Sequence, residues 1–272
     1  MGKTRRKEPS KSERRKQLRG LTTLVIVAML VLSGLLIWMV VNNNDALFNV
    51  AIYTTVRGAA VERGSIPTTV VLIAGLVLSA IIHGYHLLVK KKWRTYYHTI
   101  EDCENQAYDH AMARHVNWVR WEVYTLSQTL ILWALAQHAG VTDIFVLAGI
   151  AALHILLQAA AYSLEMINAL ADTTNDINFG PFGYGVLCWV VVWGTVLAHH
   201  FLSATPVGLL IHVMVIGAAV VSVAFGLVAL SRYMRIDDMW KNDYTIEMVY
   251  LVLEACFALI VTVPVLVRGF AL

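Results

Sequence analysis

Seven stretches of the chain stay apolar for about twenty residues or more, at 21–41, 67–89, 114–138, 141–163, 183–203, 207–232 and 245–267. Polar residues gather between these runs and do not alternate within them. A helix rises about 1.5 Å per residue, so ~20 apolar residues cross the ~30 Å hydrocarbon layer of a membrane. Long runs without a period of two predict helices, not barrel strands. The first run is too long for a signal-peptide core, and no small-residue cleavage site follows it, so it reads as an anchor. Between the first two runs, residues 42–66 form a longer connection. Within it, 51–56 and 59–64 flank Arg57-Gly58, a pattern that predicts a small hairpin. The pattern as a whole predicts an all-α bundle of seven transmembrane helices over 21–268, preceded by a basic tail at 1–20.

Composition supports the same class. Of the 272 residues, 58% are hydrophobic and only 14% charged, where soluble domains carry about a quarter charged residues. Mean hydropathy is +0.63. Three cysteines, none in a CxxC pair, exclude a disulfide framework. The net charge is +3, yet residues 1–20 hold nine of the 21 Lys and Arg. The charge belongs to the tail, not to a face that would bind nucleic acid. Arg5, Arg6, Arg14, Arg15 and Lys16 precede the first span, Lys90, Lys91, Lys92 and Arg94 follow the second, and Arg232, Arg235 and Lys241 lie between the sixth and seventh. The opposite side holds Arg57, Arg63 and Arg268. The positive-inside rule then puts the N-terminus in the cytoplasm and the C-terminus outside or in a lumen.

An ionisable side chain at membrane depth is costly and marks a place where function is looked for first. Glu254 lies about ten residues into the seventh span, roughly 15 Å deep. An isolated carboxylate there must be neutral or find a partner on another helix. It is expected to face the bundle interior in its neutral form, with Ser79, Ser127, Tyr124 or Glu122 within reach. Glu122 lies inside the third span. Arg120, two residues earlier, points in a different direction and is not an obvious partner. His83 and His86 share a face near the end of the second span. His138, His199, His200 and His212 fall near the outer ends of the third, fifth and sixth. Without a Cys or carboxylate at ligand spacing they do not define a metal site. No nucleophile-and-base motif, phosphate loop or HExxH is present, so enzymatic chemistry is not expected.

The third span reads Arg120-Trp121-Glu122-Val123-Tyr124-Thr125-Leu126-Ser127 and leads into Gly140-Val141-Thr142-Asp143. Leu78-Ser79-Ala80-Ile81-Ile82-His83, Glu165, Ala229-Leu230-Ser231-Arg232-Tyr233, Trp240, Tyr244 and Glu247-Met248-Val249-Tyr250-Leu251 follow in order. This series resembles the heliorhodopsins. The resemblance implies a rhodopsin-like bundle with its N-terminus inside, which agrees with the loop charges, and it implies a homodimer. It places Ser79 on the second helix as the favoured neighbour of Glu254.

Two positions depart from the family. Heliorhodopsins carry a serine and, four residues later, the lysine that binds retinal as a Schiff base. Here the resemblance puts Glu254 and Ala258 at those places. The eight lysines are Lys3, Lys7, Lys11, Lys16, Lys90, Lys91, Lys92 and Lys241, all in tails or loops. The family's counterion carboxylate falls on Val123, with Glu122 displaced about 100° around the helix. Cation and counterion are absent together, which is electrostatically coherent. Covalent retinal is therefore not expected. The chain reads as a membrane signalling, ligand-binding or assembly module. Its candidate pocket residues are Ser79, His83, Glu122, Tyr124, Ser127 and Glu254, and an apolar small molecule is a possible partner. Two alternatives stand beside it. One is a photoreceptor with noncovalent retinal. The other is a membrane enzyme or proton-conducting transporter using Glu254 and the intramembrane histidines.

Overall fold

The computed structural model describes residues 10–43, 48–56, 59–88, 116–169, 171, 174–202, 208–234, 240 and 242–271. Seven long helices stand among them. They are α1 (Lys11–Asn42), α2 (Thr68–Leu88), a composite α3 (Trp118–Val123, Tyr124–Gln128 and Thr129–His138), α4 (Ile144–Asn168), α5 (Gly180–Leu202), α6 (Leu209–Met234) and α7 (Asp243–Ala271). Six are each long and apolar enough to cross a membrane. The third is interrupted: its Tyr124–Gln128 turn is a π-helix between two α-helical pieces. Exposed Leu24, Val27, Leu30, Val31 and Trp38 on α1, with Val190, Val191, Val213 and Val220 on α5 and α6, give the bundle an apolar outer surface. The molecule is an integral, multi-pass membrane protein.

The first helix begins ten residues before the apolar run that predicted it. Ser10 caps it: its hydroxyl accepts from the Glu13 amide, and the Glu13 carboxylate accepts from the Ser10 amide at 2.6 Å. This reciprocal box starts a helix in a polar segment, so half of the expected tail is helical. Deeper in, Thr22 and Ser33 donate to the carbonyls of Leu18 and Met29, four residues back. That is how isolated hydroxyls are satisfied where water is absent.

The connection between α1 and α2 contains an antiparallel hairpin, β1 (Asn49–Val56) and β2 (Ala59–Pro67). Ile52 faces Gly64 but Tyr53 faces Glu62, so Arg63 is the extra residue of a bulge. Gly64 takes φ 137° there, a conformation that a side chain would strain. Tyr53 donates its amide to Thr142 O at 3.0 Å, tying the hairpin to the turn before α4. Asp143 then caps α4, accepting from the amides of Phe145 and Val146.

Of the basic residues that set the orientation expected from sequence, Arg5, Arg6, Lys90, Lys91, Lys92, Arg94, Arg57, Arg235 and Lys241 lie outside the described residues. Arg232 is not a loop charge. It stands on α6 and pairs with Glu165 and Asp243.

Helices α2 and α3 approach closely where α2 has Gly75. A Cβ at that place would lie 2.8 Å from Ile131 Cγ1 and 3.1 Å from Ser127 O. Ser127 Oγ also donates to Gly75 O at 2.8 Å. Gly75→Ala is expected to force the helices apart and cost about 1–3 kcal/mol, as overpacking typically does. Thermal unfolding in detergent measures it, and an unchanged midpoint would refute this account of the contact.

Candidate functional site

Two clusters of interior carboxylates and their partners stand out among the described residues. One lies at the end of the bundle opposite the hairpin, and Arg120 is its centre. Its guanidinium donates to Glu165 on α4 and Glu247 on α7, and stacks over the Tyr250 ring with 4.1 Å to the centroid. Glu165 also accepts from Arg232 at 2.6 Å and from the Trp121 indole at 2.7 Å. Asn117 donates to Glu247 at 2.6 Å, and Arg232 reaches Asp243 at 2.8 Å. Two guanidinium groups and three carboxylates thus bind α3, α4, α6 and α7 together. Low dielectric raises the cost of leaving any of them unpaired. Spacing along the chain argues only that Glu122 is not an obvious partner of Arg120. Its partners lie 45 and 127 residues away, beyond what local spacing reveals.

The second cluster is Ser79, His83 and Glu254. Ser79 Oγ donates to Glu254 Oε1 at 2.7 Å, and His83 Nε2 lies 3.0 Å from Oε2. All three are buried. Serine and histidine sit four apart on α2, so both present to one carboxylate on α7. Removing the carboxylate takes this partner from both polar groups. Glu254→Leu is expected to cost about 1–3 kcal/mol for each group so exposed. Glu254→Gln keeps an oxygen for Ser79 and a hydrogen-bonding group beside His83 Nε2, and should cost far less. Chemical unfolding of both variants tests this; equal losses would show that the charge, not the bonding, matters.

The other expected pocket residues go elsewhere. Glu122 is half-exposed and meets His86 Nε2 at 2.9 Å. Ser127 is committed to the Gly75 carbonyl. Tyr124 donates to Tyr250 O at 3.1 Å and joins Phe225 and Tyr250 in an aromatic group.

A cavity of about 270 Å³ opens on the other side of α3, among α3, α4, α5, α6 and α7. Its walls include Trp121, Tyr124, Trp189, Trp193, Phe225 and Phe257. Of the residues expected to form a pocket, Tyr124 alone lines it. The sequence reading did not find its polar groups, Gln128, His154, Gln158 and Ser222. A usable signal existed: His154 and Gln158 are one turn apart on an otherwise apolar helix.

The outer histidines are dispersed. His200 and His212 rings lie 4.6 Å apart, while His138 packs against Phe48. Among the described residues, no group of three or more His, Cys, Asp or Glu is placed to hold a metal.

The sequence model of the heliorhodopsins matches residues 18–259. The chain belongs to the heliorhodopsin family. Its fold is similar to the crystal structure of the transmembrane domain of Salpingoeca rosetta rhodopsin phosphodiesterase, with a TM-score of 0.60. That match covers 96% of this chain and 90% of the other at 13% identity, so it speaks for the fold alone. No curated protein matches.

Retinal is the group this family implies, and at the two positions to which the resemblance assigns its lysine and counterion the described side chains carry neither an amine nor a carboxylate. Ala258 is buried in the core and carries no amine, and Val123 is fully buried and carries no carboxylate. The lysines among the described residues, Lys11 and Lys16, stand at the start of α1.

Proposed function

We propose that this heliorhodopsin-family protein is a ligand-binding membrane module that holds an apolar small molecule noncovalently. It does not form a covalent retinal pigment. The observation that carries this reading is the aromatic-walled cavity, large enough for a small hydrophobic molecule and bordered by helices that meet lipid. Concave apolar sites with a few placed polar groups are the usual form of small-molecule sites. The loop charges support an N-terminus in the cytoplasm, and the family resemblance supports a homodimer.

Purification from membranes, solvent extraction and mass analysis test the proposal. An apolar compound bound near one per chain is the expected result. Retinal added to the protein and treated with borohydride should leave no retinyl adduct. A trapped adduct overturns the noncovalent reading. Failure to recover any apolar compound, with tryptophan fluorescence indifferent to added hydrophobic probes, overturns the binding reading. A visible absorption band without an adduct would instead identify the ligand as noncovalent retinal, the photoreceptor alternative.

A further inference from the structure

Helix α1 is longer than the apolar layer it crosses. Its 32 residues reach about 48 Å, against ~30 Å of hydrocarbon. Trp38 lies exposed near its far end and packs on Phe270, with 5.5 Å between ring centroids. Aromatic side chains gather at the membrane–water interface, so Trp38 marks one boundary. Arg19 stands about 28 Å before it at 1.5 Å per residue, just ahead of the apolar run that opens at Leu21. The turns up to Arg19 therefore lie in the headgroup layer and are still helical.

Residues 12–20 hold Arg14, Arg15, Lys16 and Arg19 against one acid, Glu13. The Glu13 carboxylate caps the helix on the Ser10 amide. Helix positions eleven apart return to within about 20° after three turns. Lys16 is thus on the line of Val27 and Trp38, and Arg19 on the line of Leu30 and Val41. All four of those side chains are at least half exposed. The two cations continue the stripe that faces lipid. Arg14, by the same count, is on the line of Val25 and Leu36, which are buried. Gly20 follows Lys16 by one turn and adjoins Arg19, and a Cβ there would meet nothing within 4 Å. The backbone is open beside the two cations.

We propose that Lys16 and Arg19 bind the phosphate of an anionic phospholipid in the leaflet where α1 begins, with the glycerol of the lipid against Gly20. A guanidinium takes two phosphate oxygens as a fork, and an ammonium adds a point charge. A zwitterionic lipid offers the same phosphate but brings its own cation, so the site selects a headgroup of net negative charge. Each such cation near an anionic surface is worth about fivefold in affinity. With the N-terminus in the cytoplasm, as proposed above, this is the leaflet whose surface is negative. The site is separate from the cavity, and either reading can fail without the other.

Photolabelling tests this. The full chain is reconstituted in mixed phosphatidylcholine and phosphatidylglycerol bilayers, with a trace of one or the other lipid carrying a diazirine at the start of an acyl chain. Peptide mapping gives the ratio of phosphatidylglycerol to phosphatidylcholine adducts on residues 12–24. The wild type is expected to favour phosphatidylglycerol there by at least about fivefold. Met166 and Ile167, exposed at the same-side end of α4, should show a ratio near one. Lys16→Gln with Arg19→Gln should bring the α1 ratio to about one, while Lys16→Arg with Arg19→Lys should keep it. Arg14→Gln, on the buried side, should keep it too. Added salt should lower the wild-type ratio, because charges at a surface are screened. Lys16 is exposed, so Lys16→Gln alone should leave the melting temperature unchanged and still cut the ratio severalfold, which preserves the test where the Arg19 change disturbs folding. Equal labelling of the wild type by the two lipids, or a ratio unmoved by salt or by the double Gln variant, overturns the proposal. So does an equal loss from Arg14→Gln or an equal preference on α4, since either would make the effect one of overall charge.

Discussion

Arg120→Met is expected to destabilise the protein by about 3–5 kcal/mol, the usual cost of removing one partner from a buried ion pair. The reason lies in what remains. Glu247 keeps the Asn117 side-chain amide as a hydrogen-bond partner, and Glu165 falls back on Arg232, Trp121 and the Asn117 backbone. Two buried carboxylates then face a low-dielectric interior with less positive charge. The loss also strips the cation from the face of Tyr250, a contact worth about 0.5–2 kcal/mol. Arg120→Lys should fall between. An ammonium keeps the charge, but it cannot span two carboxylates as a planar fork does. The decisive variant is Arg120→Met combined with Glu247→Met. It removes the cation with the carboxylate it balances, and should recover more than half of the loss, because apolar replacement of a whole buried pair is often neutral or better. Chemical unfolding in detergent measures all three. A single-variant loss below about 1 kcal/mol, or a double variant weaker than the single, would refute the account of Arg120 as the charge that holds α3, α4 and α7 together.

The bundle was legible in the sequence because membrane crossing needs length and apolarity, and both are local properties. Each predicted span overlaps an observed helix. What local pattern hid was any feature that depends on two helices at once. The partners of Arg120 were hidden because Glu165 and Glu247 are on other helices. Arg232 looked like a loop charge because the helix α6 continues to Met234. The α1 start was missed because a capping box, not hydrophobicity, sets it. Glu254 was visible as a polar residue too deep to stand alone, and the geometry gives it Ser79 and His83. The cavity's aromatic walls had no sequence signature, since aromatic residues in a span read as packing until the helices are placed; His154 and Gln158, one turn apart on α4, were its readable trace. The π turn at Tyr124–Gln128 gave none either.

Ala258→Lys is expected to give little visible pigment with retinal, and adding Val123→Glu is expected to raise the yield more than tenfold. Ala258 is 1% exposed in the core, so a lysine there adds both volume and a charge. Overpacking costs about 1–3 kcal/mol, and a buried cation costs more unless it meets an anion. Glu254, one turn away on the same face, is the nearest in sequence. Its oxygens, however, already engage Ser79 and His83, so a new cation competes with bonds that exist. Val123 is fully buried on α3, the place where the family resemblance puts the counterion. A carboxylate about 4 Å from the cation contributes roughly 4 kcal/mol at an effective dielectric near 20. Even half of that exceeds a tenfold change in occupancy. Borohydride trapping measures attachment, and the visible band measures whether the attached nitrogen keeps its proton. The single variant should be trapped with little visible absorption, and the double variant should absorb strongly. A strong visible band from Ala258→Lys alone would show that Glu254 supplies the counterion where it stands. The third variant, Ala258→Lys with Glu254→Gln, should then lose that band.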